Sequence, residues 1–226
     1  MIPLRDENPR KLFPGVTIAI IVANVLVFLY QVSLPKGEIQ SFLFTYGAVP
    51  NLIVRGSSLY AIFTSMFLHG GFMHLLGNMW YLWIFGDNVE GLMGHWRFIL
   101  FYLLCGTAAF FGHFIFEPTS TIPMVGASGA ISGVLGAYAL RYPRARVHLL
   151  IPLFPFVWLW RVFLVPAAVV LGGWFVIQLF SGIAAQQSGV AWFAHVGGFV
   201  AGLLLVKFFE PRPKPPEKSP LSFLDE

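Results

Sequence analysis

Charge is what this 226-residue chain lacks. Asp, Glu, Lys and Arg make up 11% of it and hydrophobic residues 57%, with a mean hydropathy of +0.75. Soluble domains carry roughly a quarter charged residues, so the composition excludes an ordinary soluble domain and points to lipid. Cysteine is almost missing as well. Cys105 stands alone, which excludes an intrachain disulfide and a cysteine metal cluster. Long internal repeats are absent. The net charge of +4 comes without a clustered basic face, which argues against a nucleic-acid partner.

What is there instead is a series of long runs free of Asp, Glu, Lys and Arg, at 12–35, 56–86, 98–116, 118–140, 147–160 and 162–206. A membrane span needs about 20 apolar residues. Five of the runs are long enough, and the last holds two spans around the polar stretch SGIAAQQSG. The expectation is an all-α polytopic membrane protein with six spans, at roughly 14–33, 72–90, 96–116, 126–141, 163–181 and 191–209. The run 147–160 is short and holds two prolines, so it reads as an interfacial loop. Residues 1–13 read as a cytoplasmic N-terminal segment, 14–209 as the membrane-embedded core, and the proline-rich, charged 210–226 as a disordered cytoplasmic tail. The first span has no small-residue cleavage site after it and reads as retained.

Basic residues set the orientation. With six spans both termini share a side with Arg5, Arg10, Lys11, Arg97, Arg141, Arg144, Arg146, Arg161, Lys207, Arg212, Lys214 and Lys218, leaving Lys36 and Arg55 opposite. That asymmetry places both termini in the cytoplasm. It also lets the depths of polar residues be compared, and each of these needs a reason inside a bilayer.

His74 and Asn78 lie in the outer half of the second span, at i, i+4 spacing on one face. Ser128 opens the fourth span and His195 lies about one turn into the sixth. All three spans enter from outside, so the four side chains share a depth and can converge. Pro123 and Gly126 delay the fourth helix to about residue 127. A helix from there to 141 is about 22 Å long, short of the ~30 Å hydrocarbon core. The approach at 118–126 is then irregular backbone, tolerated only inside protein or along a water-filled cavity. Gly126, Gly129, Gly133 and Gly136 stripe the fourth span, and Gly198 and Gly202 form a GxxxG pair on the sixth. Such stripes let helices approach closely, and packing Gly129 and Gly133 against Gly198 and Gly202 would bring Ser128 to His195.

Taken alone, Ser128 reads as a helix cap or packing residue more readily than as a nucleophile. His195 alone reads as a buried hydrogen-bonding histidine, and His74 with Asn78 as polar glue between helices. Together they offer a chemistry. An imidazole can take the serine proton. The Ser128 backbone N–H at the helix start, with His74 and Asn78, could donate to an oxyanion. No acidic third member is evident: Asp87 and Glu90 lie at the cytoplasmic end of their span, and Glu117 is not evidently near His195. The reading is a dyad.

The segments HLLGNM (74–79), GASGAISG (126–133) and AHVGGFVAG (194–202), in this order and at one depth, resemble the signature segments of rhomboid intramembrane serine proteases. The resemblance covers about residues 14–209. It implies Ser128 as nucleophile, His195 as general base, and His74 with Asn78 around the oxyanion. It implies no metal and no cofactor. The partners it implies are transmembrane protein substrates, cut near their outer ends, and the lipid bilayer. With the compact, loop-poor form, it points to a bacterial plasma membrane.

Two places depart from the family. Tyr60-Ala61 stands where members often carry Trp-Arg in the loop after the first span. Ser132 stands where they often place an aromatic on the catalytic histidine, so His195 must be held by something else, for which a neighbour from another span is one candidate. Glu90 matches a common carboxylate and reads as structural, as does His69. His95 falls in a cytoplasmic turn, and His113 and His148 have no evident partner. The rival readings are a catalytically silent relative that binds membrane proteins, and a transporter. The first would usually have lost the serine or the histidine. The second would favour midplane charges and inverted repeats, and neither is seen.

Overall fold

The computed structural model of the chain describes residues 2–151, 160–184 and 190–211. Proline and glycine punctuate its long helices. Helix α1 (Gly15–Ser33) starts after Pro14 and ends before the extended Leu34 that precedes Pro35, as expected for a residue before proline. The connection to the next long helix holds three short ones, α2 (Lys36–Tyr46), α3 (Pro50–Val54) and α4 (Ala61–Thr64), and a 3-10 turn at Ser65–Phe67. Helix α5 (Phe72–Met93) stops at Gly94, whose φ of +81° suits glycine, and α6 (His95–Phe114) follows at once. Helix α7 (Ser128–Arg141) starts two residues after Gly126, at φ +124°. Helices α8 (Ala167–Ala184) and α9 (Trp192–Phe209) complete the set.

The chain is mostly helical. Four helices, α1, α6, α8 and α9, are long and apolar enough to cross a membrane. Helix α7 has only 14 residues, short of the usual ~20, and α5 carries Asp87, Asn88 and Glu90 toward its end. The predicted tail at 210–226 lies outside the described residues from position 212 on, as do 185–189 of the predicted outer loop.

A wholly helical chain was the expectation, and this is corrected. Strands β1 (Ile2–Asp6), β2 (Arg146–Ile151) and β3 (Arg161–Pro166) form an antiparallel sheet in that order. The run 147–160, read as an interfacial loop, contributes β2, and residues 152–159 lie outside the description. The first residues expected in the fifth span are strand, and the helix begins only after Pro166. The cause is local alternation joined to distant pairing. Val147 and Leu149 are buried while His148 turns away to meet Glu7 at 3.1 Å, the period-two pattern of a half-buried strand. Its partner β1 comes from the far end of the chain, with Asp6 opposite Val147.

Helices α6, α7 and α9 form the centre, and glycine sets their spacing. Every residue of α7 from Gly129 to Tyr138 is buried. A methyl added at Gly198 would collide with the Gly129 carbonyl, one at Gly202 with the Gly133 carbonyl, and one at Gly136 with the Phe199 carbonyl. Between α6 and α9, a Cβ on Gly112 would lie 2.9 Å from the Gly197 Cα. Backbones this close gain dispersion contacts that larger side chains would prevent.

Helix α1 is held at its start by a carboxylate from α5. Pro14 supplies no side-chain cap. The Val16 and Thr17 N–H groups donate to Glu90 at 2.9 and 2.7 Å, and the Thr17 hydroxyl donates at 2.7 Å. An anion at a helix start satisfies orphan donors and opposes the helix dipole. Glu90, fully buried, also meets His95 Nδ1 at 2.6 Å.

Candidate active site

Ser128 is the first residue of α7, and Ala127 before it supplies no side-chain cap. Its Oγ lies 2.8 Å from His195 Nε2. The approach to it is irregular backbone stitched to the loop after α1. Ala48 and Met124 exchange both backbone hydrogen bonds, at 3.0 and 2.9 Å, Asn51 N–H donates to the Ser120 carbonyl, and Gly126 N–H donates to the Ser65 carbonyl. Backbone groups of Ser120, Met124 and Gly126 are thus paired within the protein on the approach to Ser128. The first helical bond of α7 runs from Ile131 N–H to the Ala127 carbonyl. Amides at the very start, Ser128 included, have no acceptor within the helix.

His195 sits in the first turn of α9, brought to Ser128 by the contact of Gly198 with Gly129 one turn further in. Its second ring nitrogen, Nδ1, lies 2.7 Å from Gln178 Oε1 on α8. Trp174 and Trp192 flank the ring, with centroids 6.0 and 6.2 Å away.

His74 and Asn78 face the same space from the start of α5. Gly70 N–H donates to His74 Nδ1 at 3.4 Å, which leaves Nε2 as the protonated nitrogen of a neutral ring. A Cβ on Gly126 would lie 2.8 Å from His74 Cε1 and Nε2, so glycine there makes room for the imidazole beside the start of α7. Asn78 is buried, and its Nδ2 has no hydrogen-bond partner among the described residues. A cavity of about 580 Å³ touches His74, Asn78, Ser128, Gln178, Trp192 and His195. The four side chains singled out in the sequence therefore line one space. Serine, imidazole and aimed donors are the components of acyl transfer.

The remaining histidines have distinct surroundings. His69 lies in the loop before α5, edge-on to His74 at 5.2 Å. Burial, followed by the neighbouring His74, pulls its pKa down to about 4. Gln31 of α1 holds the His69 backbone at both its carbonyl and its N–H. His113 and Glu117 also line the cavity, 3.9 Å apart.

Comparison with known proteins gives this arrangement a family. The Rhomboid domain profile matches residues 56–212, more than half of the chain. The chain belongs to the rhomboid family. Rhomboid protease GluP of Bacillus subtilis (strain 168) is 34% identical over 143 residues, covering 59% of this chain and 27% of that protein. The putative rhomboid protease YdcA of the same organism is 34% identical over 138 residues, covering 60% of this chain and 67% of that protein. The human presenilin-associated rhomboid-like protein, mitochondrial, is 32% identical over 142 residues, 61% of this chain and 36% of its own length. The chain thus spans from about a quarter to two thirds of these relatives. It is a multi-pass membrane protein.

The departures from the rhomboid pattern have visible replacements. Tyr60 donates its hydroxyl to the Thr45 carbonyl at 3.0 Å and packs near Tyr46, while Ala61 is fully buried. The loop after α1 is anchored by these contacts and by Thr64 Oγ1 donating to the Tyr46 carbonyl at 2.6 Å. Ser132, in the place of the aromatic, donates back to the Ser128 carbonyl at 2.6 Å. Gln178 was missed in the sequence. Its signal was present: it is the one amide side chain in α8, a helix with no charged residue. In the expected topology the second, fourth and sixth spans enter from outside, whereas the fifth, which holds Gln178, runs the other way.

Proposed function

We propose that this rhomboid is an intramembrane serine endopeptidase that cuts transmembrane segments of membrane proteins near their outer ends. The observation that carries the reading is the 2.8 Å contact of Ser128 Oγ with His195 Nε2 at a cavity lined by His74 and Asn78. Relatives named as rhomboid proteases support it. In this reading α1, α5, α6, α7, α8 and α9 are six spans forming the core at 14–209. Segments 1–13 and 210–226 are cytoplasmic, and the location is a bacterial plasma membrane.

The chemistry is acyl transfer. Ser128 Oγ attacks the scissile carbonyl carbon as its proton passes to His195 Nε2. The new oxyanion accepts hydrogen bonds from the Ser128 N–H, Asn78 Nδ2 and His74 Nε2. Collapse breaks the C–N bond, and His195 returns the proton to the leaving amine. Water then attacks the acyl-enzyme ester with His195 again as base, releasing the new carboxyl end and restoring Ser128. Neither metal nor cofactor takes part.

The test is cleavage of a model transmembrane substrate by the full chain in detergent. Ser128→Ala and His195→Ala should each abolish it in stably folded protein, and a fluorophosphonate should label Ser128. Robust cleavage by Ser128→Ala overturns the reading. Reporters after residue 210 should read cytoplasmic and reporters in 36–55 external. Mass spectrometry of membrane proteins cut in cells by the wild type but not by Ser128→Ala identifies the substrates.

A further inference from the structure

We infer that Gln178 is a positioning residue that holds His195 in the tautomer able to take the serine proton. The inference rests on the dyad reading above. Gln178 Oε1 lies 2.7 Å from His195 Nδ1 while Ser128 Oγ lies 2.8 Å from Nε2. An amide oxygen only accepts, so Nδ1 carries the hydrogen and Nε2 presents its lone pair to the hydroxyl. With the opposite tautomer, Nε2–H would face Ser128 and could not act as base.

Other candidates for this task are already committed or geometrically unsuited. Ser132 spends its hydroxyl on the Ser128 carbonyl. Trp174 and Trp192 restrain the tilt of the ring, lying at 39° and 88° to it, but stacking does not choose between tautomers. Gln178 is 6% exposed and belongs to the one buried stripe of α8, with Ala167, Leu171 and Gly182. Below it on that stripe, Gly182 faces the side chains of Trp192 and Phe193 at the start of α9. The amide is therefore carried to the ring by the packing of α8 on α9. The choice of amide is physically apt. A carboxylate would orient the ring equally well, but ionising it within the bilayer is costly. The amide oxygen accepts from the neutral ring and from the transient imidazolium without a charge of its own.

The experiment is steady-state cleavage of the transmembrane substrate by Gln178→Met, Gln178→Leu and Gln178→Glu, alongside Ser128→Ala. Methionine keeps the shape and length of glutamine without an amide oxygen. Gln178→Met and Gln178→Leu should lower kcat about 10–100-fold, the usual effect of losing a supporting hydrogen bond, with KM little changed. Fluorophosphonate labelling of Ser128 should slow in parallel. Gln178→Glu offers an oxygen in either protonation state and should keep kcat within about threefold of wild type, the loss expected for one small adjustment. A packing role gives the reverse order, with methionine tolerated and glutamate not. Wild-type kcat in Gln178→Met, or equal loss in Gln178→Glu and Gln178→Met in folded protein, overturns the inference. In the unmutated protein, ¹⁵N NMR should show His195 protonated at Nδ1 and bare at Nε2, and the opposite tautomer also overturns it. Cleavage by Ser128→Ala would sink the dyad itself. An inert Ser128→Ala beside a fully active Gln178→Met sinks the role of Gln178 alone.

Discussion

Asn78 carries a buried amide nitrogen with no partner among the described residues. A buried donor left unpaired costs about 1–3 kcal/mol, a penalty that makes sense if the donor is held for an oxyanion appearing only during reaction. Asn78→Ala and His74→Ala should each reduce turnover about 10²–10³-fold, as for other oxyanion donors. Ser128 should remain labelled by small phosphonates, because backbone N–H groups at the start of α7 persist. A fully active Asn78→Ala would move that residue to packing. Glu117 behaves differently. It meets His113 at 3.9 Å, whereas the Nδ1 of His195 is taken by Gln178. Glu117→Gln should therefore change turnover less than about tenfold, against roughly 10⁴-fold for a triad carboxylate, in the same detergent and with folding checked by thermal melting.

Helices in this protein are positioned by what their neighbours leave out. Gly198 and Gly202 face the carbonyls of Gly129 and Gly133, and backbone cannot swing aside as a side chain can. Gly202→Ala should destabilise the fold by about 1–3 kcal/mol or more and separate α7 from α9, so melting temperature and cleavage fall together. Gly172→Ala on α8 is the control, since nothing lies within 4 Å of an added Cβ. It should leave melting unchanged or slightly raised, through reduced chain entropy in the unfolded state. Toward the end of α5, Glu90 gathers three donors from α1 and meets His95. Glu90→Ala strands buried donors and should cost about 3–5 kcal/mol. Glu90→Gln keeps one accepting oxygen and should cost clearly less. Equal melting of the two variants would show that the cap contributes little.

At the scale of the molecule, the N-terminal strand fastens helices that are distant in sequence. Trp80 of α5 donates to the Pro3 carbonyl at 2.6 Å, and the Tyr138 hydroxyl of α7 donates to the Asp6 carboxylate. Arg141, which ends α7, pairs with Glu210 just after α9. Burial raises the Asp6 carboxyl above its ordinary value, the Tyr138 hydrogen bond opposes this, and Asp87 adds to it. A carboxyl with a raised folded pKa favours the native state while protonated. Its effect on stability turns unfavourable as pH rises above the unfolded value near 4 and levels off above the raised one. Asp6→Asn keeps an acceptor for Tyr138 without the charge. Relative to wild type, its melting temperature should be higher at pH 7 than at pH 4, and the reverse order would refute this.

Much of this architecture was legible in one dimension. Charge-free runs located the long helices because lipid penalises charge wherever it occurs along the segment. Pro123 and Gly126 marked the late start of α7 because backbone chemistry is local. An expected common depth grouped Ser128, His195, His74 and Asn78, and the four line one cavity in the folded chain. What the tertiary structure alone decided is rotation and partnership. Which face of α8 turns inward depends on its packing against α9, so Gln178 could not be assigned to His195 from its own neighbours. The sheet was hidden for a related reason: β1 and β2 pair across some 140 positions, and no local pattern names a strand's partner. Tyr60 in place of the expected Trp-Arg found its acceptor on Thr45 only when the loop closed. Hydropathy and backbone propensity belong to each residue, but a hydrogen bond belongs to two, and the second becomes known only when the chain has folded.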